Sequence, residues 1–238
     1  MRSAAVAMAA GACVLLAGCS TPAGEAPAVR IVEAVQQSPD RALGQALPSV
    51  EELTVVLSAV GFMGQLVEGG PDMLLQGVGP AEASPMDCVG IGYRLQKVVY
   101  QSSPVRSVAS RSWAGGDADG PSATGFFGAV QFGAPDAARA FFAASADTWR
   151  RCNGQTLTLI GPDGGAQGSS RIADVTMADG IVSAVVLHDD GSAVQRALGI
   201  ASDCVVDVEV SDVAGPSAHS AADAVAVAKL MVQKIGAS

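Results

Sequence analysis

From residue 124 to residue 210 the chain repeats one pattern, and that pattern limits the fold more than any other feature. Short runs rich in β-branched and aromatic side chains, "TGFFGAVQF", "TLTLI", "RIADVT", "GIVSAVVLH", "AVQRALGI" and "CVVDVEV", are separated by turn-forming stretches such as "GPDGG" and "MADG". Such runs read as strands, and links this short join strands antiparallel. Aromatics make up only 4% of residues, so the core has to be built mainly from small aliphatic side chains.

Three helical patterns frame these strands. "APDAARAFFAASADTWRRC" puts Ala138, Phe141, Phe142 and Trp149 on one helical face, with Pro135 near its start. "SAADAVAVAKLMVQKI" repeats Ala221, Ala224, Val225, Ala228, Val232 and Ile235 at helical spacing, with Ser220 as the expected N-cap. In "PSVEELTVVLSAVGF", Ser49 and Glu52 make a capping box for a helix over residues 50–60, with Gly61 as its stop. The stretch between that helix and Cys88, "EGGPDMLLQGVGPAEASPMDC", reads as loop. The expected class is α+β: a single domain with an antiparallel sheet of about five or six strands covered by helices on one face.

The N-terminus carries a different message. Arg2 opens an apolar run from Ala4 to Ala17 that is too short to span a bilayer. It ends in Leu16-Ala17-Gly18-Cys19, which resembles a bacterial lipobox, where a cysteine thiol takes a diacylglycerol and the signal is cut just before it. Residues 1–18 are then a lipoprotein signal peptide, and Cys13 leaves with it. Residues 19–46, rich in Pro, Ala, Gly and Gln, read as a flexible tether, and residues 47–238 as the domain. The expected partner is the lipid bilayer, reached through diacylglycerol and palmitate-type acyl groups on Cys19. The expected location is the extracytoplasmic face of the cell membrane.

The net charge of −9 argues against nucleic acid, whose phosphates demand a basic face. No phosphate loop or dinucleotide fingerprint occurs, and neither a cofactor nor a catalytic set is expected. Only His188 and His219 are available as imidazole ligands, and no Cys-x-x-Cys spacing exists, so no metal site is expected. Asp117, Asp119 and Gly120 lie in "GGDADGPS", which lacks the closing glutamate of a calcium loop and reads as solvated. A hydrolase would have to recruit His188, in "HDDG", or His219, yet no Gly-x-Ser-x-Gly elbow accompanies them. Trp149 reads as core, whereas Trp113, in "SRSWAGG", is expected beside a cleft. Three cysteines follow Cys19, namely Cys88, Cys152 and Cys204, and they allow one bridge with one thiol left over in an oxidising compartment.

Several motifs occur together in a characteristic order. They are Asp87-Cys88, "FFGAVQF", Trp149-Arg150-Arg151-Cys152, "QRAL" at 195–198, "VVDV" at 205–208 and the alanine-rich final helix. In this order the chain resembles the PknH-like extracellular sensor domain, found on an actinobacterial Ser/Thr kinase and on stand-alone lipoproteins, over residues 47–238. The resemblance implies a disulfide between Cys88 and Cys152. It also implies a second bridge at the positions of Val194 and Ser211, where this chain has no cysteine. If "SAVQRALGI" and "CVVDVEV" form a hairpin turning at Ser202-Asp203, Val194 faces Ser211, Arg196 faces Glu209 and Leu198 faces Asp207. Cys204, Val206, Val208 and Val210 then share a core face with Ala197 and Gly199, which makes Cys204 an inert, buried thiol. Arg196, Asp207 and Glu209 fall on the wetter face, where an ion pair contributes at most about 1 kcal/mol.

The resemblance implies a lipid-anchored ligand-binding or sensor module that is not an enzyme, with a small molecule, a lipid or an envelope protein as ligand and ligand-binding residues unassigned. The alternatives are an envelope hydrolase using His188 or His219, and a structural or interaction protein of a cell-surface complex.

Overall fold

The structure is a computed structural model that describes residues 42–117, 120–212 and 221–237. Cys19, the signal peptide, Asp119, His219 and Ser220 lie outside the described residues. The strands are β1 (Gly61–Met63), β2 (Val67–Gly69), β3 (Ala83–Ser84), β4 (Val105–Asp117), β5 (Gly120–Phe132), β6 (Thr156–Ile160), β7 (Ala166–Ala178), β8 (Ile181–His188), β9 (Ala193–Ala201) and β10 (Cys204–Asp212). The helices are α1 (Val50–Leu57), α2 (Val89–Gly92), α3 (Lys97–Tyr100), α4 (Pro135–Cys152) and α5 (Ala222–Gly236).

All ten strands join one antiparallel sheet in the order β1-β4-β5-β10-β9-β8-β7-β6-β3, with β2 also on β4. The class is therefore α+β, as expected, but the sheet has ten strands instead of five or six. The missing strands have a physical explanation. Strand β4, "VRSVASRSWAGGD", mixes Ser, Arg and Gly into its alternation, and β1 to β3 are two or three residues long, too short to show a period.

The helices cover both faces of the sheet, not one. Ala138, Phe142, Ala146 and Trp149 of α4 pack on Val130, Ile172, Val182, Ala184, Leu198 and Val205. Ala224, Val227, Ala228, Met231 and Ile235 of α5 pack on Ala129, Ala197, Val206, Val208 and Val210 of the opposite face. Successive residues of a strand point to opposite faces, so Val205 and Val206 belong to different cores. A central strand buried on both faces loses its polar alternation, which explains the run "IVSAVV" of β8, buried throughout.

The β9–β10 register is the expected one: Val194 faces Ser211, Arg196 faces Glu209 and Leu198 faces Asp207. Its turn uses Ser202 at φ 54°. The capping box also forms. The Ser49 hydroxyl accepts from the Glu52 amide at 3.2 Å, and the Glu52 carboxylate accepts from the Ser49 amide at 2.7 Å. However, α1 stops at Leu57 with left-handed Ser58 as its C-cap. Gly61 has another task, since it opens β1 against the indole of Trp113. A Cβ on Gly61 would lie 2.3 Å from Trp113 Nε1, and one on Gly115 would lie 2.0 Å from the ring, so both positions must lack a side chain. Trp113 is thus core at the sheet edge, not the wall of a cleft. Leu43, Ala46 and Leu47 are buried in the same core, so the folded domain reaches into the C-terminal end of the residues read as tether.

Candidate functional site

The segment from Met86 to Pro104 stands off the sheet as a wall of short helical turns, and α4 runs opposite it. Between them lies a cleft of ≈ 560 Å³. Met86, Val98 and Val99 line one side, while Ala137, Ala140, Phe141 and Ala144 of α4 line the other; Asp87, Ser102, Ser103, Ser145 and Thr148 supply polar groups. This volume and this mix of apolar lining with a few polar groups suit a small-molecule site. The Phe141 ring stacks on Tyr100 with centroids 4.6 Å apart and tilts against Phe132 at 5.2 Å, which fixes the floor. Cys88 on the first wall is joined to Cys152 at the end of α4, with S–S 2.05 Å and Cα–Cα 5.8 Å. The bridge ties the two walls together, and Trp149 is buried beside it.

A buried charge network fastens the first wall to the sheet. Arg196 is fully buried and donates to Asp207 at 2.7 Å, to Glu209 at 2.9 Å and to the Gly90 carbonyl at 3.4 Å. The second oxygen of Asp207 accepts from the Leu95 amide at 2.8 Å and from the Tyr100 hydroxyl at 3.3 Å. Arg94 pairs with Glu209 at 2.5 Å and lies over the Phe126 ring, 3.4 Å from its centroid. Burial pushes the Asp207 carboxyl above its usual range, with Arg196 and the Leu95 amide pulling against it. Burial and neighbouring Asp207 hold the Tyr100 hydroxyl well above its ordinary range, so it stays a proton donor. The face expected to be wet is dry, because the 86–104 wall covers it. The Arg196–Asp207 pair is internal, so the surface value of at most about 1 kcal/mol does not apply to it, whereas Arg94 and Glu209 stay part-exposed.

A second concavity of ≈ 550 Å³ opens on the far side of the wall, where Tyr93 meets the ends of β7, β8 and β10. Here Ser170 Oγ lies 2.8 Å from His188 Nδ1. Ser170 lines the groove with only 2% of its surface exposed, although it has the contact that a nucleophile would need. Val194 and Ser211 also line this groove, and Ser211 Oγ pairs with Thr124 Oγ1 at 2.8 Å. Asp117 and Gly120 flank the β4–β5 turn. Cys204 is a buried thiol 3.5 Å from Asp203 Oδ1. Among the described residues, no three His, Cys, Asp or Glu side chains converge to hold a metal.

Sequence reasoning missed Ser170, Tyr93 and the cleft residues of α4, since nothing local marks a serine or an alanine as lining a cavity. It did find the Arg196–Glu209 partnership, through register. The additional signal for burial was two opposite charges set in otherwise apolar strands.

The model of the PknH-like extracellular domain matches residues 38–234. The crystal structure of the extracellular domain of PknH from Mycobacterium tuberculosis superposes with a TM-score of 0.70 at 23% identity, covering 86% of this chain and 100% of that one. An uncharacterised protein from Mycobacterium smegmatis gives a TM-score of 0.39 at 13% identity, covering 84% of this chain and 97% of that one. No curated protein matches the chain.

Proposed function

This chain belongs to the PknH-like extracellular domain family, and we propose that it is a lipid-anchored, non-catalytic ligand-binding protein of the sensor type on the extracytoplasmic face of the cell membrane. The observation that carries the reading is the ≈ 560 Å³ cleft whose two walls are tied by the Cys88–Cys152 bridge. A preformed cavity avoids the ordering cost that a flexible site would meet on binding. Its lining of Met86, Val98, Val99 and Phe141 suits an apolar or amphiphilic small molecule, including a lipid tail, with Ser102, Ser145 and Thr148 available to a polar head. Support for the anchor comes from Leu16-Ala17-Gly18-Cys19. No helix among the described residues is long and apolar enough to cross a membrane.

The test is purification of the full chain from its native envelope in mild detergent, followed by mass spectrometry of extracted small molecules. The expected result is a co-purifying amphiphile that is lost in Ala144→Trp, which fills the cleft, while the melting temperature is unchanged. A chain that carries no small molecule, or an Ala144→Trp variant that retains it, overturns the cleft reading. The Ser170–His188 contact favours a second reading, hydrolysis. Full esterase or amidase activity lost in His188→Ala would establish it, and the burial of Ser170 argues that none will be found.

A further inference from the structure

We propose that the β1–β2 edge of the sheet docks on the bilayer as a second, non-covalent contact beside the lipid on Cys19. The inference rests on the anchored reading above and adds the protein surface that faces the lipid. Residues 53–67, "LTVVLSAVGFMGQLV", contain no Asp, Glu, Lys or Arg, although 16% of the chain is charged. Their second half forms the rim of the sheet, since β1 is its outermost strand and β2 pairs with the same strand, β4.

Register sorts the side chains of this rim. Phe62 faces Ala114 and Val67 faces Ser110, while the Val60 carbonyl accepts from the Gly116 amide at 3.0 Å. Positions 110, 114 and 116 of β4 share one face, so Val60, Phe62 and Val67 stand on that face in a row about 20 Å long. Their exposures are 67%, 84% and 43%. One exposed valine means little, but an aromatic ring and two valines aligned without a charge mark an interaction surface.

Two observations identify the occupant as lipid. The first is where the chain enters the domain. Just after Ala42, where the described residues begin, the Gly44 amide donates to Glu68 of β2 at 3.3 Å. From Cys19 to Ala42 the backbone spans at most about 80 Å. The edge that this segment joins is therefore the part of the domain held nearest the bilayer. The second is charge. A chain with a net charge of −9 meets an anionic bilayer with least repulsion over a stretch that has no carboxylate. Glu68, which ends the uncharged stretch, faces Ala109 and so turns to the opposite face of the sheet, away from the row. Val60, Phe62 and Val67 then enter the boundary between headgroups and acyl chains, which accepts apolar side chains without a spanning segment. The contact gives the anchored domain one orientation, which a lipid on a single residue does not.

The test places a fluorescent reporter in the row. Phe62→Trp puts an indole at a position open to solvent, and Met177→Trp is its control, at a 50% exposed position on β7. Strand β7 is six strands from β1, or about 29 Å. Each full-length variant is purified from its native envelope and reconstituted in vesicles of phosphatidylethanolamine and phosphatidylglycerol, with or without bromine on the upper acyl chain. The emission of buried Trp113 and Trp149, read from the wild type, is subtracted. The expected result is that brominated lipid removes most of the Phe62→Trp emission and leaves that of Met177→Trp. Adding Val60→Asp and Val67→Asp to Phe62→Trp should restore the emission. The inference is overturned if brominated lipid leaves Phe62→Trp unchanged, whether because the edge stays in water or because a second copy covers it. It is equally overturned if both reporters are quenched alike, or if the two aspartates leave the quenching intact. The intact mass of each purified chain reports the lipid on Cys19 separately. An unquenched edge on a lipidated chain removes this contact and leaves the anchor standing, whereas a chain without the lipid removes both.

Discussion

Arg196 shows how far one residue's environment departs from its sequence context. Its pairing with Glu209 follows from strand register, but its full burial follows from a wall that arrives from a hundred residues upstream. A guanidinium taken out of water is tolerated only while its partners stay in place. Asp207→Ala removes the carboxylate that binds Arg196, the Leu95 amide and the Tyr100 hydroxyl together, leaving a buried charge with one partner fewer. The expected cost is about 3–5 kcal/mol, read from chemical denaturation. Glu209→Gln keeps its shape at a partly exposed position and is expected to cost clearly less. Equal losses for the two variants would mean that the network is not held as described.

At the scale of elements, periodic segments were the easiest to read. Helix α4 buries Ala138, Phe142 and Trp149 as its spacing indicates, while Phe141 turns its ring to the cleft floor. The buried stripe of α5 includes Val227 and Met231, since a helix seated across a twisted sheet is covered according to its crossing angle as well as its apolar moment. The docking of α1 on α5 rests partly on Glu52, which accepts from Lys234 Nζ at 2.7 Å while also capping Ser49. Burial raises the Glu52 pKa, but the hydrogen bonds from Lys234 and the Ser49 amide outweigh it, and the net shift is downward. A depressed folded-state pKa gives stability that is present above the unfolded value of about 4.3 and is lost as pH falls through the folded value. Denaturation midpoints at pH 7 and about pH 3 should therefore lie further apart in wild type than in Glu52→Gln, by less than about 1 kcal/mol because the pair is part-exposed.

For the whole molecule, the Cys88–Cys152 bridge closes a loop with a sequence separation of 64 that contains β4, β5 and most of α4. Cross-linking a loop of that length restricts the unfolded chain and contributes about 4 kcal/mol in the entropic account. Reduction, or a Cys88→Ala/Cys152→Ala double variant, should lower the denaturation midpoint accordingly. Peptide mapping without reductant should find Cys88 linked to Cys152 and Cys204 as a thiol. The proposed membrane anchor has a separate check: labelled fatty acid should enter the wild-type chain and not a Cys19→Ala variant. Equal labelling of the two would place the lipid elsewhere.

Residues and their spacing alone determined what depends on local or near-local order: the capping box at Ser49 and Glu52, most of the buried face of α4, the β9–β10 register and the antiparallel character of the sheet. The order of weak motifs was enough to identify the family and to imply which two cysteines pair. Only the tertiary structure decided that the sheet is clad on both faces, that Trp113 is core, that the Arg196 network is dry, and that Ser170 meets His188. Those facts depend on segments distant in the chain coming to cover a surface, and burial of that kind leaves no period in the sequence of the residues being covered.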